Sequence, residues 1–301
     1  MKILVSFSGG KDSQAALIWA ANEYGVNNIE AVFCDTGWEH NHTYKHIIDT
    51  CSLMNVKLTI LKSKKYDGFI DLAIKRKRFP STKRRFCTVE LKLIPMIDYL
   101  LELQTNVLII EGIRKNESEA RSKMNNQCTF FKYYFQPYKQ DENGKDVFFT
   151  YRKNDVVKFN NNYIHDILRP HFDKSPEFVL NYILEYNQKP NPLYYKGFSR
   201  VGCFPCINCN LHELSAMVKY FPAEIDKIIE LEQYVSSNIP RGSTFFSPNK
   251  IPNWAKRKGQ NIVSFEDVVN YVKAKNSTGN LFEKNGDDQN SSCMSFYRIC
   301  E

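Results

Sequence analysis

No apolar run in this sequence approaches the ~20 residues that a bilayer-spanning helix needs. Val107 to Ile110, inside Asn106-Glu111, is typical of the short runs present. No membrane partner is expected. No secretory leader is expected, because Met1-Lys2 opens a short strand-like run that ends in polar Ser8-Gly9-Gly10. These absences point to a cytoplasmic protein. There is no internal repeat, no GxxxxGK[ST] spacing of a kinase-type phosphate loop, and no recognisable DNA- or RNA-binding module. The composition, 43% hydrophobic and 25% charged over 301 residues, excludes a disordered, collagenous or coiled-coil chain.

Negative charge is the scarcer sign. Forty-one Lys and Arg against 33 Asp and Glu leave a formal charge of +8. That balance favours an anionic partner, either a phosphorylated small molecule or a nucleic acid. Nine cysteines in a cytosolic-looking chain argue for metal or redox chemistry rather than disulfides.

The first half alternates short apolar runs with helical patterns. Strands are expected at Lys2-Phe7, Ile29-Cys34, Val56-Leu61 and Asn106-Glu111, with helices at Asp12-Tyr24, Glu39-Asn55 and Leu91-Leu103. This order implies βαβ units and a mostly parallel sheet with flanking helices, an α/β fold whose ligand loops share one edge. From about 127 to 162 aromatic runs flank Asp141-Glu142-Asn143-Gly144, which reads as a β-hairpin insertion. Ser175-Pro176-Glu177 opens another helix, expected to run to Tyr186. The division expected is an α/β nucleotide-binding domain over 1–210 and a helical C-terminal region over 211–301, with an exposed loop around Asn276-Asn290.

Ser8-Gly9-Gly10-Lys11-Asp12-Ser13 sits between the first strand and the first helix. Two glycines let backbone amides approach an anion, and a helix N-terminus adds unpaired N–H groups and a positive dipole end. Lys11 supplies charge, and Ser8 and Ser13 supply hydroxyls. The plainer alternative is a tight strand-to-helix turn. Asp35 at a strand end either caps a turn or contacts ribose or base. Arg114 and Arg121 are either solvated charges or planar forks for phosphate and sulfate oxygens.

The SGGKDS loop resembles the PP-loop of the ATP pyrophosphatases, a group that includes adenylyl-transferring thiolation enzymes and the phosphoadenosine-phosphosulfate (PAPS) reductase family. Four further segments, in that family's order, resemble it too: Asp35-Thr36-Gly37; Arg85-Phe86-Cys87-Thr88 with Lys92 and Pro95; Gly112-Ile113-Arg114 with Glu117-Ser118 and Arg121; and Asn191-Pro192-Leu193-Tyr194 with Gly197 and Gly202-Cys203-Phe204-Pro205-Cys206. The resemblance implies an adenine nucleotide alpha-hydrolase-like fold over roughly residues 3 to 209. It also implies an anion site at Ser8, Gly9, Gly10, Lys11, Asp12 and Ser13, with nucleotide contacts from Asp35, Thr36, Gly37, Gly112, Arg114, Ser118 and Arg121. Lys11, Asp12, Cys87 and Arg114 are the expected catalytic residues.

Cys203, Cys206 and Cys209 fall within one loop, and Cys293 and Cys300 form a looser pair near the end. CxxC spacing lets two sulfurs reach one tetrahedral metal or one cluster edge. The simplest four-thiolate set is Cys203, Cys206, Cys293 and Cys300, holding a [4Fe–4S] cluster or structural zinc. A rival set uses Cys87 and Cys209, closer to the reductase pattern, although Thr88 stands where that pattern has a second cysteine. Cys87 follows Lys83-Arg84-Arg85, and positive neighbours lower a thiol pKa. Ten Lys or Arg lie between Lys62 and Arg85, forming either a solvated face or an anion-binding strip.

Two chemistries follow from the resemblance. In one, a thiolate reduces a bound sulfonucleotide (PAPS or APS). In the other, ATP with Mg2+ activates an acceptor, pyrophosphate leaves to the loop, and sulfur is delivered, with a nucleic acid or a sulfur-donor protein as partner. The reductases end in an E-C-G-x-H-like tail, whereas this chain ends Arg298-Ile299-Cys300-Glu301. A non-catalytic nucleotide-binding adaptor is the reading from another class.

Overall fold

The computed structural model describes residues 1–237, 242–256 and 262–277. Its strands, in chain order, are β1 (Lys2–Ser6), β2 (Ile29–Cys34), β3 (Lys57–Leu61), β4 (Val107–Glu111), β5 (Gln127–Thr129), β6 (Lys139–Gln140), β7 (Asp146–Val147) and β8 (His165–Leu168). The helices of the first half are α1 (Lys11–Tyr24), α2 (Asn41–Leu53), α3 (Phe69–Lys75), α4 (Phe86–Thr88), α5 (Ile94–Leu103), α6 (Glu119–Ser122), α7 (Lys132–Phe135) and α8 (Lys153–Asn162). They are followed by α9 (Pro176–Glu185), α10 (Leu211–Tyr220), α11 (Pro222–Ser237) and α12 (Phe265–Ser277).

Six strands form one sheet in the order β3-β2-β1-β4-β8-β5. Every pair is parallel except the edge pair β5–β8. All six residues of β2 are buried, as are the last four of β1. Near-continuous apolar strands are what a parallel sheet covered on both faces requires. Ile3, Val5, Phe7, Leu17 and Ile47 pack on one side, and Leu4, Met96, Leu100, Ile109 and Phe131 on the other. The fold class read from the sequence is the one observed.

The expected β-hairpin is present and turns at Asp141 to Gly144, but it is narrower than residues 127–162. Only the two-residue strands β6 and β7 pair around Asp141 to Gly144, while β5 joins the main sheet and 153–162 is helix α8. The aromatics expected to line a projecting hairpin instead enter the core: Phe130 and Phe131 are fully buried beside Phe159 and Tyr134. Burying those rings against α5 and the sheet outweighs their local β propensity. Strand β8 was missed, because His165-Asp166-Ile167-Leu168 is short and half polar; it is nonetheless an internal strand.

Beyond residue 210, α10 and α11 pack with α12 around Phe245, Phe246 and Phe265. Glu232 ties this unit together by accepting the backbone N–H groups of Phe245 and Phe265, each at 2.7 Å. None of the described helices is long and apolar enough to cross a membrane.

Candidate functional site

The sheet order places β1 between β2 and β4, so the chain winds one way through β2 and β3 and then switches sides to β4. Ligands of open α/β sheets bind outside the carboxyl ends of the strands at such a switch point. The Ser8–Ser13 loop after β1 and the Gly112–Arg114 segment after β4 meet there.

Gly9 has φ +75°, and a Cβ on it would lie 2.9 Å from Ile47 Cγ1 and 3.0 Å from Thr43 Cγ2. Only glycine fits this turn without displacing α2. Gly10 caps α1 in extended conformation, and Ser13 folds back to donate its hydroxyl to the Gly10 carbonyl at 2.9 Å. The Ser8 amide donates to Ser13 Oγ at 3.2 Å. These bonds hold the turn closed on itself. The first i→i−4 bond of α1 is the one from Gln14 to Gly10, so the amides before Gln14 precede the helical ladder.

Gly112 comes closest of all. A Cβ there would stand 2.2 Å from the Asp12 carbonyl carbon and oxygen and 2.3 Å from the Ser13 nitrogen. Its place in the resemblance suggested nucleotide contact; the geometry shows backbone stacked on backbone, with β4 pressed onto the first turn of α1. Arg114, almost fully buried, donates its Nε to Asp12 Oδ1, and Lys11 Nζ lies 3.4 Å from Asp12 Oδ2. Both carboxylate oxygens of Asp12 are therefore occupied by cations of this chain.

The rest of the Arg114 element closes upon itself. Glu117 accepts the Arg114 amide at 3.0 Å and pairs with Arg121, while Ser118 caps α6 by accepting the Arg121 amide at 3.2 Å. Asp35 is similarly engaged: Tyr44 donates its hydroxyl at 2.7 Å, the Gly37 amide donates at 2.8 Å, and Lys62 lies 3.1 Å away. Burial raises the Asp35 pKa, but these bonds and the Lys62 charge outweigh it and hold the carboxyl below its usual value. What the segment leaves toward the sheet edge is the turn itself, with Gly37 at φ +64°.

Several contributors carried no assigned role in the sequence. Asn191, fully buried, donates Nδ2 to the Gly9 carbonyl and to Thr43 Oγ1, both at 3.2 Å, and accepts from the Leu193 amide. Tyr194 accepts the Lys11 amide on its hydroxyl at 3.0 Å, and its ring lies 5.1 Å from Lys11 Nζ. Burial and nearby Asp12 push the Tyr194 hydroxyl up, so it keeps its proton. Glu39 accepts from Thr36 Oγ1 at 2.7 Å and from the Thr36 and Trp38 amides. The T-x-x-E spacing of Thr36 and Glu39 is a signal that could have found it.

The cysteine loop is tethered to this mouth. Cys203 forms a β-bridge with Glu39, Phe204 donates its amide to the Trp38 carbonyl at 2.7 Å, and Trp38 Nε1 donates to the Pro205 carbonyl at 3.0 Å. Cys87, Cys206 and Cys209 border the same apolar cluster. Lys92 and Arg85 do lower the Cys87 pKa, as the sequence suggested. Burial outweighs them, and the thiol is pushed above its ordinary value. Among the described residues, no three His, Cys, Asp or Glu side chains are gathered to hold a metal ion. Cys293 and Cys300 lie outside the described residues. The described thiols by themselves thus do not fit a [4Fe–4S] cluster or a zinc ion.

A mostly parallel sheet with flanking helices, and a glycine turn leading from its central strand β1 into a helix at the switch point, defines the class: an open, doubly wound α/β protein. The sequence profile of the phosphoadenosine phosphosulfate reductase domain matches residues 2–209, and the chain belongs to that family. Among relatives, an uncharacterized 37.8 kDa protein of Escherichia phage 186 is 29% identical, with 88% of this chain and 84% of that protein covered. The uncharacterized protein MJ0066 of Methanocaldococcus jannaschii is 29% identical over 73% of this chain, which spans 39% of that protein. Among solved structures, a PAPS reductase from Candida auris in a phosphate complex is 15% identical with a TM-score of 0.46, covering 68% of this chain and 83% of that one.

Proposed function

We propose that the chain is an adenine-nucleotide-dependent enzyme that seats the phosphate or sulfate tail of ATP or a sulfonucleotide on Ser8–Ser13 and uses it in sulfur or sulfate transfer or reduction. The observation that carries this reading is the convergence at the switch point: a glycine-opened turn, a helix N-terminus and Lys11, braced by Gly112, Asn191 and the Asp12–Arg114 pair. In this reading the Lys11 ammonium and the amides of the first turn of α1 balance the oxyanion. Arg114 acts through Asp12, whose paired carboxylate fixes where Lys11 sits. The Thr36-Gly37 turn meets the nucleoside, with Asp35 holding that turn in shape. Where ATP is the substrate, Mg2+ would neutralise charge on its phosphates, and Asp12, paired with Arg114 and Lys11, would keep Lys11 beside them.

Burial raises the Cys87 thiol above its ordinary value, which counts against Cys87 itself as the attacking thiolate of the reductive version. In the adenylating version an acceptor oxygen bonds to the α-phosphorus, the bond to the bridging oxygen breaks, and pyrophosphate leaves onto the loop. ATP should protect the protein against heat, and Lys11→Ala should abolish that protection. Acceptor-dependent pyrophosphate release from ATP would select adenylation; sulfite release from PAPS or APS with a thiol reductant would select reduction. Protection without either product would indicate an adaptor, and no protection by ATP, PAPS or APS refutes the reading.

A further inference from the structure

Away from the switch point, a groove of about 450 Å³ opens between residues 77–82 and residues 242–248. Its first wall is the turn after α3, carrying Lys77 and Arg78. The facing wall carries Ser243, Thr244 and Ser247, and Ile207 of the cysteine loop closes one side. The walls are joined by the Phe79 amide donating to Ser243 Oγ at 3.1 Å.

The charge around this groove is uncompensated. Lys75 and Arg76 are paired with Asp71 and Glu90, and Lys62 and Lys64 with Asp35 and Glu102. Lys77, Arg78, Lys83 and Arg84 are all exposed, and none has an acidic partner within ion-pair distance among the described residues. Four unpaired cations within eight positions of sequence repel one another, a cost that an anionic occupant relieves. They lie on both sides of Phe79–Thr82 and are solvated. A single phosphate would call for converging, buried donors. Lys77 and Arg78 line the groove with Ser243, Thr244 and Ser247, and Lys83 and Arg84 directly follow its wall residue Thr82; separate cations spread along the chain in this way suit successive phosphates along a strand.

We propose that this groove binds the phosphodiester backbone of a single-stranded nucleic acid, which the proposed enzyme holds beside its cysteine loop as acceptor. The acceptor role rests on the function proposed above; strand binding itself does not. The test is fluorescence anisotropy of a labelled 20-nucleotide single strand without ATP, titrated from 50 to 300 mM salt. Binding should weaken with salt, with a log–log slope of roughly −0.7 for each phosphate contact. The quadruple variant Lys77→Ala, Arg78→Ala, Lys83→Ala, Arg84→Ala should flatten that slope by about 3. All four side chains are exposed, so the variant should keep the wild-type Tm and protection by ATP. A Lys64→Ala, Lys123→Ala control, which removes charges already paired with Glu102 and Glu119, should leave the slope unchanged.

No binding at 50 mM salt, or an unchanged slope in the quadruple variant, overturns the proposal. So does equal affinity for a polyglutamate chain, which would mark an acidic protein as the partner. Strand binding without protection by ATP, PAPS or APS would refute the nucleotide reading and leave the groove standing; the reverse would refute the groove alone.

Discussion

Replacing Gly112 with alanine tests whether the strand-to-helix contact organises the oxyanion turn. The added methyl would lie 2.2 Å from the Asp12 carbonyl and 2.3 Å from the Ser13 nitrogen. Non-bonded carbon contacts settle near ~3.5–4.0 Å, so β4 and α1 must part by over ~1 Å. Neither side can yield by rotating a side chain, because the atoms met are backbone. Overpacking of this kind costs about 1–3 kcal/mol, and the rigid partners put this case near ~3 kcal/mol. At roughly 2–4 °C per kcal/mol for a chain of this size, Tm should fall by ~6–12 °C. The same parting moves Lys11 and the first turn of α1 off the oxyanion position, where a ~1 Å misplacement costs about 100-fold in rate. The matched control is Gly202→Ala, whose Cβ would meet nothing within 4 Å and whose φ is not positive. Thermal unfolding of both variants, with and without ATP, decides the matter. A Gly112→Ala protein that melts with the Gly202→Ala control and keeps ATP protection refutes the reasoning.

Other outcomes follow from the same geometry. Asn191→Ala strips partners from the Gly9 carbonyl and the Leu193 amide in a fully buried setting, and should cost about 2–4 kcal/mol in urea unfolding; a loss under ~0.5 kcal/mol would show that water replaces the amide. Tyr194→Phe removes the acceptor on the Lys11 amide and should cost about 1 kcal/mol, whereas a stabilised variant would contradict the bond. His46 donates Nε2–H to Gln14 at 3.2 Å, and burial lowers its pKa from 6.5 to about 4. The unfolded chain therefore takes up the proton first, so this contribution is complete above pH 6.5 and is lost as pH falls from 6.5 to 4. It reaches at most about 3 kcal/mol, and His46→Gln should flatten the stability–pH curve in that window. Alkylation of Cys87 by iodoacetamide should reach its midpoint at a higher pH than that of an ordinary exposed thiol, because burial raises it; a midpoint near pH 7 would restore it as a nucleophile.

Local pattern was enough for the left half of the sheet. Ile29–Cys34 is a strand with the bounds its apolar run marks, and Ser175 caps α9 by accepting the Phe178 amide at 3.1 Å. Apolar runs, glycine turns and cap residues act over a few positions, so they can be read without knowing what lies opposite. Residues 127–162 misled for the complementary reason. Aromatic residues favour strands in isolation, and only the depth of the core beside α5 decides that Phe130, Phe131 and Phe159 pack around helices instead.

The sequence by itself determined that Ser8 to Ser13 would form a glycine turn between a strand and a helix, because chain chirality and missing side chains leave little else open there. Tertiary structure alone decided what each charged group near that turn does. Asp12 faces Arg114 across 102 positions, Asn191 reaches Gly9 across 182, and Asp35 is absorbed by Tyr44 and Lys62. It also decided the state of Cys87, where the charges legible in the sequence pull the thiol down and a burial that is not legible there pushes it further up. Spacing along a chain carries local geometry; desolvation and long-range pairing depend on what the fold brings alongside.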